Sequence, residues 1–320
     1  ALDPAAGAAP RPAAFEQVGG DAETTTLQLT VEGLWSSPSA EAGFEAVTLE
    51  LPGTATLREL GRPALPTAAQ LLAVPSDAPL WVEVLDVDVV WIDSPPPAPA
   101  MPLETRLGPQ DVAWQLDEAL YASGATWPEE WAVVQGPWKL RQLPVARLEL
   151  RVARYDFERG KLGLLRGATV RVHHGGGAIL DGATVDSPAF GQLYEQPLYH
   201  YELPDGGVNA VPETMLVLVQ DDLVDAIGPL VAWKRQRGMQ VTVRTLGEVG
   251  SSTEDVQAAI DEAYEAWDPP LTYVLLVGDD APFYRGTYDN CASDYMFTQL
   301  DGGDLLADVM ISRIVGATDD

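Results

Sequence analysis

The 320-residue chain carries 48 acidic against 19 basic residues, a formal charge of -29, with 46% apolar and 8% aromatic content. That apolar content is ample for two domain cores, while the shortage of Lys and Arg argues against nucleic acid or an anionic membrane surface as partner, since both require cations that displace counterions. The single cysteine, Cys291, excludes an internal disulfide, and one cysteine with three histidines leaves no material for a Cys/His zinc site.

Residues 1–26 are rich in Ala and Pro and lack periodicity, so they read as a flexible leader, the start of a secreted protein whose signal has been removed. No stretch of about twenty apolar residues is present, so no membrane span is expected. From Leu27 the pattern alternates with period two. Residues 26–35, 46–53, 80–92, 146–157 and 167–174 are short apolar runs bounded by Gly, Pro and Asp, which predicts an antiparallel β-sandwich or barrel over residues 27–186. Glu83, Asp86 and Asp88 suggest a metal cluster, but by parity Glu83 and Asp86 point to opposite sides of a strand while Asp86 and Asp88 share one, so the reading preferred is a solvated strand face. Pro95, Pro96, Pro97 and Pro99 make an extended connector, and Trp127, Trp131 and Trp138 read as packing anchors.

Residues 187–212 read as a linker, after which the composition becomes that of alternating strand and helix. Residues 214–219 form an apolar strand and the segment to Arg237 a helix closed by Gly238, with Gly228-Pro229 marking a kink or a second start. Residues 240–245 form the next strand. Residues 251–267 have the cleanest helical pattern, with Val256, Ile260, Ala263, Tyr264 and Trp267 on one face and Ser251 or Ser252 as cap. The third strand covers residues 272–277. This βαβαβ order predicts a parallel sheet with helices on both faces over residues 213–320.

Parallel sheets gather ligands at their carboxyl edge, and two readings of the acidic residues there compete. Asp221, Asp222 and Asp279 or Asp280 could hold Mg²⁺ as in a phosphoryl-receiver domain, but no lysine follows Lys234 to meet a phosphate. Alternatively, a calcium loop could draw on Asp301, Asp304 and Asp308, the Leu306 carbonyl and Asp279 from the neighbouring strand end, since Ca²⁺ accepts several oxygens in flexible geometry. The bland alternative is a DGGD turn with solvated acids.

Several stretches, WKRQRG (residues 233–238), WDPPLTYVLLVGD (267–279), SDYMF (293–297) and DGGDLLADVMISRI (301–314), together resemble the front of a peptidase family C25, gingipain-type, cysteine endopeptidase. GRPALPTAAQLLAVP (61–75) and residues 191–202 resemble that family's propeptide. The resemblance implies an incomplete caspase-like, flavodoxin-like domain after a propeptide-like one. It also implies a structural Ca²⁺ held by Asp279, Asp301, Asp304, Leu306 and Asp308, and a catalytic His and Cys downstream of Arg313.

Cys291, His173, His174 and His200 are therefore not promoted to catalysis, and this chain alone is expected to be silent. The expected partners are the carboxyl-terminal catalytic portion of the same precursor and protein or peptide substrates. The rival reading is a non-enzymatic secreted calcium-binding or interaction module. Between Arg171 and Lys234 there is no Lys or Arg, so either the enzyme does not prefer Arg or Lys at the cleaved position, the stretch 203–211 offering such a cut, or the propeptide stays attached, both being favoured over release by another protease.

Overall fold

The computed structural model describes residues 9–39, 43–57, 59–75, 79–101, 116–177, 179, 185–195, 208, 212–279, 286–288 and 291–316. It divides into two compact units: Ala1–Pro137 with Ala146–Gly177, and Trp138–Val145 with Ala178–Asp320.

The first unit is built from β1 (Ala14–Gly20), β2 (Thr24–Thr30), β3 (Trp35–Ser39), β4 (Ala46–Glu50), β5 (Ala55–Leu57), β6 (Leu65–Ala73), β7 (Trp81–Asp93), the single turn α1 (Glu118–Tyr121), β8 (Thr126–Trp127), most of β9 (Ala132–Leu140) and β10 (Leu143–Arg151), β11 (Ala153–Asp156) and β12 (Lys161–His173). One sheet has the order β1-β2-β12-β11-β8, with β7 also on β12; another runs β5-β6-β10-β9, and β3 and β4 form a hairpin. The long β12 is the spine. It pairs antiparallel with β7 from Lys161↔Asp93 to His173↔Trp81, and with β2 from Gly167↔Thr30 to His173↔Thr24. Alternating Leu27 and Leu29 of β2 and Ala168, Val170 and Val172 of β12 are buried, as period-two patterning requires.

Two expectations change here. Residues 14–20, assigned to the leader, form an edge strand from Ala14↔Thr30 to Gly20↔Thr25, because β2 offers them a ladder of backbone partners that composition does not reveal. The parity argument for Glu83 and Asp86 also fails. The register shifts between Thr169 and Val170, so Glu83, Asp86 and Asp88 sit opposite Arg171, Thr169 and Gly167. They share one face through a bulge at Leu85, and all three are exposed. The proline connector is extended, as expected, but it also bonds: Val47 N–H donates to Pro96 O and Ala98 N–H to Val47 O.

The second unit contains α2 (Pro188–Tyr194), β13 (Thr214–Val219), a 3-10 turn at Asp221–Leu223, α3 (Val224–Gln236), β14 (Gln240–Thr245), α4 (Leu246–Val249), α5 (Thr253–Ala266), β15 (Leu271–Val277), the small hairpin β16 (Gly286–Tyr288) and β17 (Cys291–Ser293), a 3-10 turn at Tyr295–Thr298, and β18 (Met310–Ile314). Its sheet has the order β14-β13-β15-β18, and every pairing is parallel. All six residues of β13 are buried, the mark of a central strand covered on both faces.

Met215, Val217 and Val219 face Ile227 and Val231 of α3, whereas Leu216, Leu218 and Leu276 face Val256, Ile260 and Ala263 of α5. The cap of α5 is Ser252, whose side chain and Asp255 form a reciprocal box. Helix α3 runs through Pro229 without a second start, and Gly238 follows it at φ 89°. Within the expected linker, residues 188–194 form α2, capped by Ser187, with Phe190 and Tyr194 buried. Among the described residues no helix is long and apolar enough to cross a membrane.

Candidate functional site: an aspartate loop at the amino edge of the parallel sheet

The parallel register fixes where each acidic residue can stand. Tyr273 pairs with Met310 and Val277 with Ile314, so Asp308 lies before β18 at the amino edge, level with the start of β15. Asp279 follows β15 at the carboxyl edge. At about 3.3 Å per residue those edges are about 20 Å apart, and Asp279 does not join the other four residues named for calcium. The expectation that it arrives beside them fails because both strands run in the same direction.

The remaining set, residues 301–308, does come together. Gly302 and Gly303 take left-handed φ values of 83° and 61°, and a Cβ on Gly302 would lie 2.8 Å from the Asp304 carboxylate and 2.9 Å from Lys139 Cβ. Glycine is therefore required both for the turn and for the close approach of a neighbour. That neighbour is the end of the β9–β10 hairpin, residues Trp138–Val145, which belongs to this unit.

Lys139 donates its backbone N–H to Asp304 at 2.5 Å and its ammonium to Asp301. Arg141, 1% exposed, donates its backbone N–H to Asp308 Oδ1 at 3.1 Å and its Nη1 to the carbonyls of Leu271 and Asp308 at 2.7 and 2.9 Å. Its Nε donates to Asp186 at 2.9 Å. The guanidinium lies over the Phe190 ring, 4.9 Å from its centroid.

The carboxylates are thus already satisfied. Asp308, wholly buried, accepts from Arg141 N–H on one oxygen and from Leu300 and Asp301 N–H, both at 2.8 Å, on the other. Asp304 also accepts from Leu306 N–H, and Asp301 from Gly302 N–H. Burial raises the Asp308 carboxyl above its ordinary pKa, while the bond from Lys139 lowers that of Asp301. Among the described residues no three His, Cys, Asp or Glu side chains converge as metal ligands. A calcium ion needs about six to eight oxygens, and in this arrangement Lys139 and backbone N–H groups take them. The five-residue calcium set does not fit here as drawn.

The carboxyl edge is different. Asp221 accepts from Gly247 N–H at 2.9 Å, and Asp222 is exposed; the magnesium reading gains no support there, and Asp280 lies outside the described residues. Arg313 of β18 donates to Asp294 from Nε and Nη2 at 2.8 and 2.6 Å. His173 stacks on Trp81 with centroids 3.5 Å apart, and buried His174 contacts Thr25 Oγ1 at 3.0 Å, so both histidines are structural. His200 lies outside the described residues, as does the side chain of Cys291.

Sequence reasoning did not single out Lys139, Arg141, Asp186, Asp294 or Arg313. A signal was present for the first two: two cations two residues apart, between Trp138 and Pro144, in a chain of net charge -29.

Residues 36–176 match the family model for the C25 propeptide, and residues 209–320 match that for Peptidase family C25. Among curated proteins, Gingipain R1 of Porphyromonas gingivalis is 26% identical over 267 residues, covering 80% of this chain and 26% of the relative. Lys-gingipain HG66 of the same organism is 24% identical over 278 residues, covering 81% of this chain and 16% of the relative. The chain thus spans about a quarter or less of the length of these relatives.

Among solved structures, the complex of the Porphyromonas gingivalis RgpB pro- and mature domains aligns with TM-score 0.48 and 18% identity, over 59% of this chain and 98% of that one. A structure concerning the zymogenic latency of gingipain K aligns with TM-score 0.44 and 17% identity, over 51% of this chain and 92% of that one. The two matches follow one another along the chain, the second on a parallel sheet with helices on both faces. The chain belongs to the gingipain-type C25 cysteine peptidases, with a propeptide segment followed by the start of a peptidase segment.

Proposed function

We propose that this chain is the amino-terminal part of a secreted cysteine endopeptidase precursor that hydrolyses peptide bonds in proteins. The observation that carries the reading is the succession of a propeptide match over residues 36–176 and a peptidase match over residues 209–320. The chemistry would come from an imidazole that takes the proton of a thiol, on residues that continue the peptidase segment beyond β18. The partner of the chain is then that continuation. β18 pairs only with β15 among the described residues, and Ile314 and Val315 beside it are 42% and 69% exposed, which suits a further strand.

The test is to express the precursor with its natural continuation and titrate it with a thiol-directed peptide probe. Labelling of one downstream cysteine, with peptide hydrolysis lost when that cysteine becomes alanine, is the expected result. Hydrolysis that survives this substitution, or no hydrolysis after propeptide removal, overturns the reading.

Calcium enters the proposal in a narrower form than the sequence suggested. Asp301, Asp304 and the Leu306 carbonyl are the groups that could turn to a cation once Lys139 is withdrawn, with Asp308 holding the backbone of the loop. No catalytic role is assigned to the ion.

A further inference from the structure

We propose that the Lys139–Arg141 turn is a latch: the propeptide-type segment grips the peptidase-type segment through a buried arginine seated at the amino edge of the parallel sheet. The turn lies inside the propeptide match, at residues 36–176, yet it folds within the unit that holds residues 209–320 of the peptidase match. Its seat consists of the Asp308 carboxylate and the carbonyls of Leu271 and Asp308, with Lys139 adding an exposed ion pair to Asp301.

The backbone marks Arg141 as selected for its side chain. It has φ 55°, the one positive value among the described residues other than glycine. Such a conformation costs about 1 kcal/mol or more for a residue with a Cβ, and glycine would occupy it freely. An arginine is nonetheless there, wholly buried, with its charge met by Asp186, its Nη1 by the carbonyls of Leu271 and Asp308, and its plane by Phe190. A buried cation without those partners would carry a large desolvation cost, so the pocket and the side chain require each other.

The latch acts at the amino edge, whereas a parallel sheet presents its reactive groups at the carboxyl edge. Its role is retention of the propeptide segment after chain cleavage, separable from any block of catalysis. This inference stands on contacts within the chain and depends neither on calcium nor on peptidase activity.

The experiment uses the full chain with a specific protease site inserted within residues 203–211, cut after folding, and reads the dissociation constant of the two fragments by dilution. The wild-type fragments stay together, Arg141→Lys weakens them about tenfold, and Arg141→Gly weakens them at least a hundredfold even though it relieves the backbone. In a double-mutant cycle Arg141→Gly with Tyr264→Leu, whose ring centroid lies 5.7 Å from the guanidinium, shows a coupling of about fivefold or more. Near-ultraviolet circular dichroism of each uncut variant verifies folding, and if Arg141→Gly does not fold, the cycle is run with Arg141→Lys. Arg141→Gly fragments that bind as tightly as wild type, or a cycle with additive effects, overturn the proposal.

Discussion

Arg313 and Asp294 face each other through two parallel hydrogen bonds, with the side chains 9% and 19% exposed. This fork-to-fork pair fastens the segment that carries β17 and the following 3-10 turn to β18, and so fixes what stands beside the carboxyl edge. Removing one member leaves the other charge poorly solvated. Arg313→Ala is expected to destabilise the second unit by about 3 kcal/mol, and Arg313→Lys by less, because an ammonium cannot make both bonds. Urea denaturation followed by near-ultraviolet dichroism measures this. A loss within experimental error for Arg313→Ala would show that the pair is ornamental.

Calcium and Lys139 compete for the same oxygens in the proposed scheme. In wild type, millimolar Ca²⁺ is expected to leave the melting temperature almost unchanged relative to EDTA. Lys139→Met frees Asp301 while the backbone N–H at position 139 still meets one oxygen of Asp304, and there Ca²⁺ is expected to stabilise, by about 2.7 kcal/mol at a hundredfold excess over Kd. Asp304→Asn in that background should abolish the gain. Calorimetry in which Lys139→Met gives no calcium effect removes calcium from the proposal and leaves Arg141 unaffected.

Acid should act on the loop through Asp301. The Lys139 bond lowers its pKa below the ordinary 3.8, so its contribution is fully present above 3.8 and is lost as pH falls through the lowered value. Asp308 works with the opposite sign: burial raises its pKa, so its contribution is full below 3.8 and is lost as pH rises through the raised value. The difference in melting temperature between wild type and Lys139→Met should therefore be constant from pH 7 to about 5 and shrink below 3.8. A difference that persists unchanged at pH 2.5 means that Lys139 stabilises by packing alone.

Processing offers a test at the level of sequence. Arg171 lies within β12 and Lys234 within α3, where backbone groups are engaged and resist a protease. Amino-terminal sequencing of the incubated precursor is expected to give a cut within residues 203–211, which fall outside the described residues apart from Val208. A new terminus directly after Arg171 or Lys234 contradicts it. Repeating the incubation with the cysteine proposed downstream replaced separates self-processing from an outside protease.

The α/β half was legible because its signals are local: β13 and β15 are uninterrupted apolar runs, and α5 combines a cap, an amphipathic face and a proline stop. The β half was legible only where strands alternate. β6, with buried Leu65, Pro66, Thr67 and Ala68 in succession, has no period to read, and β1 and β9 are edge strands whose mostly exposed or half-buried residues show no apolar alternation. The site was half legible. Clustering of Asp301, Asp304 and Asp308 follows from their spacing, but the donors that satisfy them come from Lys139 and Arg141, some 165 positions earlier. Strand direction, which separates Asp279 from the loop, is a property of the sheet and is written in no single segment.

The position of β12 bears on the order in which the first unit can form. This strand is the last of its sheet to leave the ribosome, yet β2, β7 and β11 all pair with it, and Thr25 waits for His174, 149 positions later. Until residue 173 emerges, those strands have no common neighbour, and closing so long a loop is slow. A nascent chain that stops short of β12 therefore has its β1–β2 ribbon and the long β7 with open edges, a form that chaperones should bind and proteases clear.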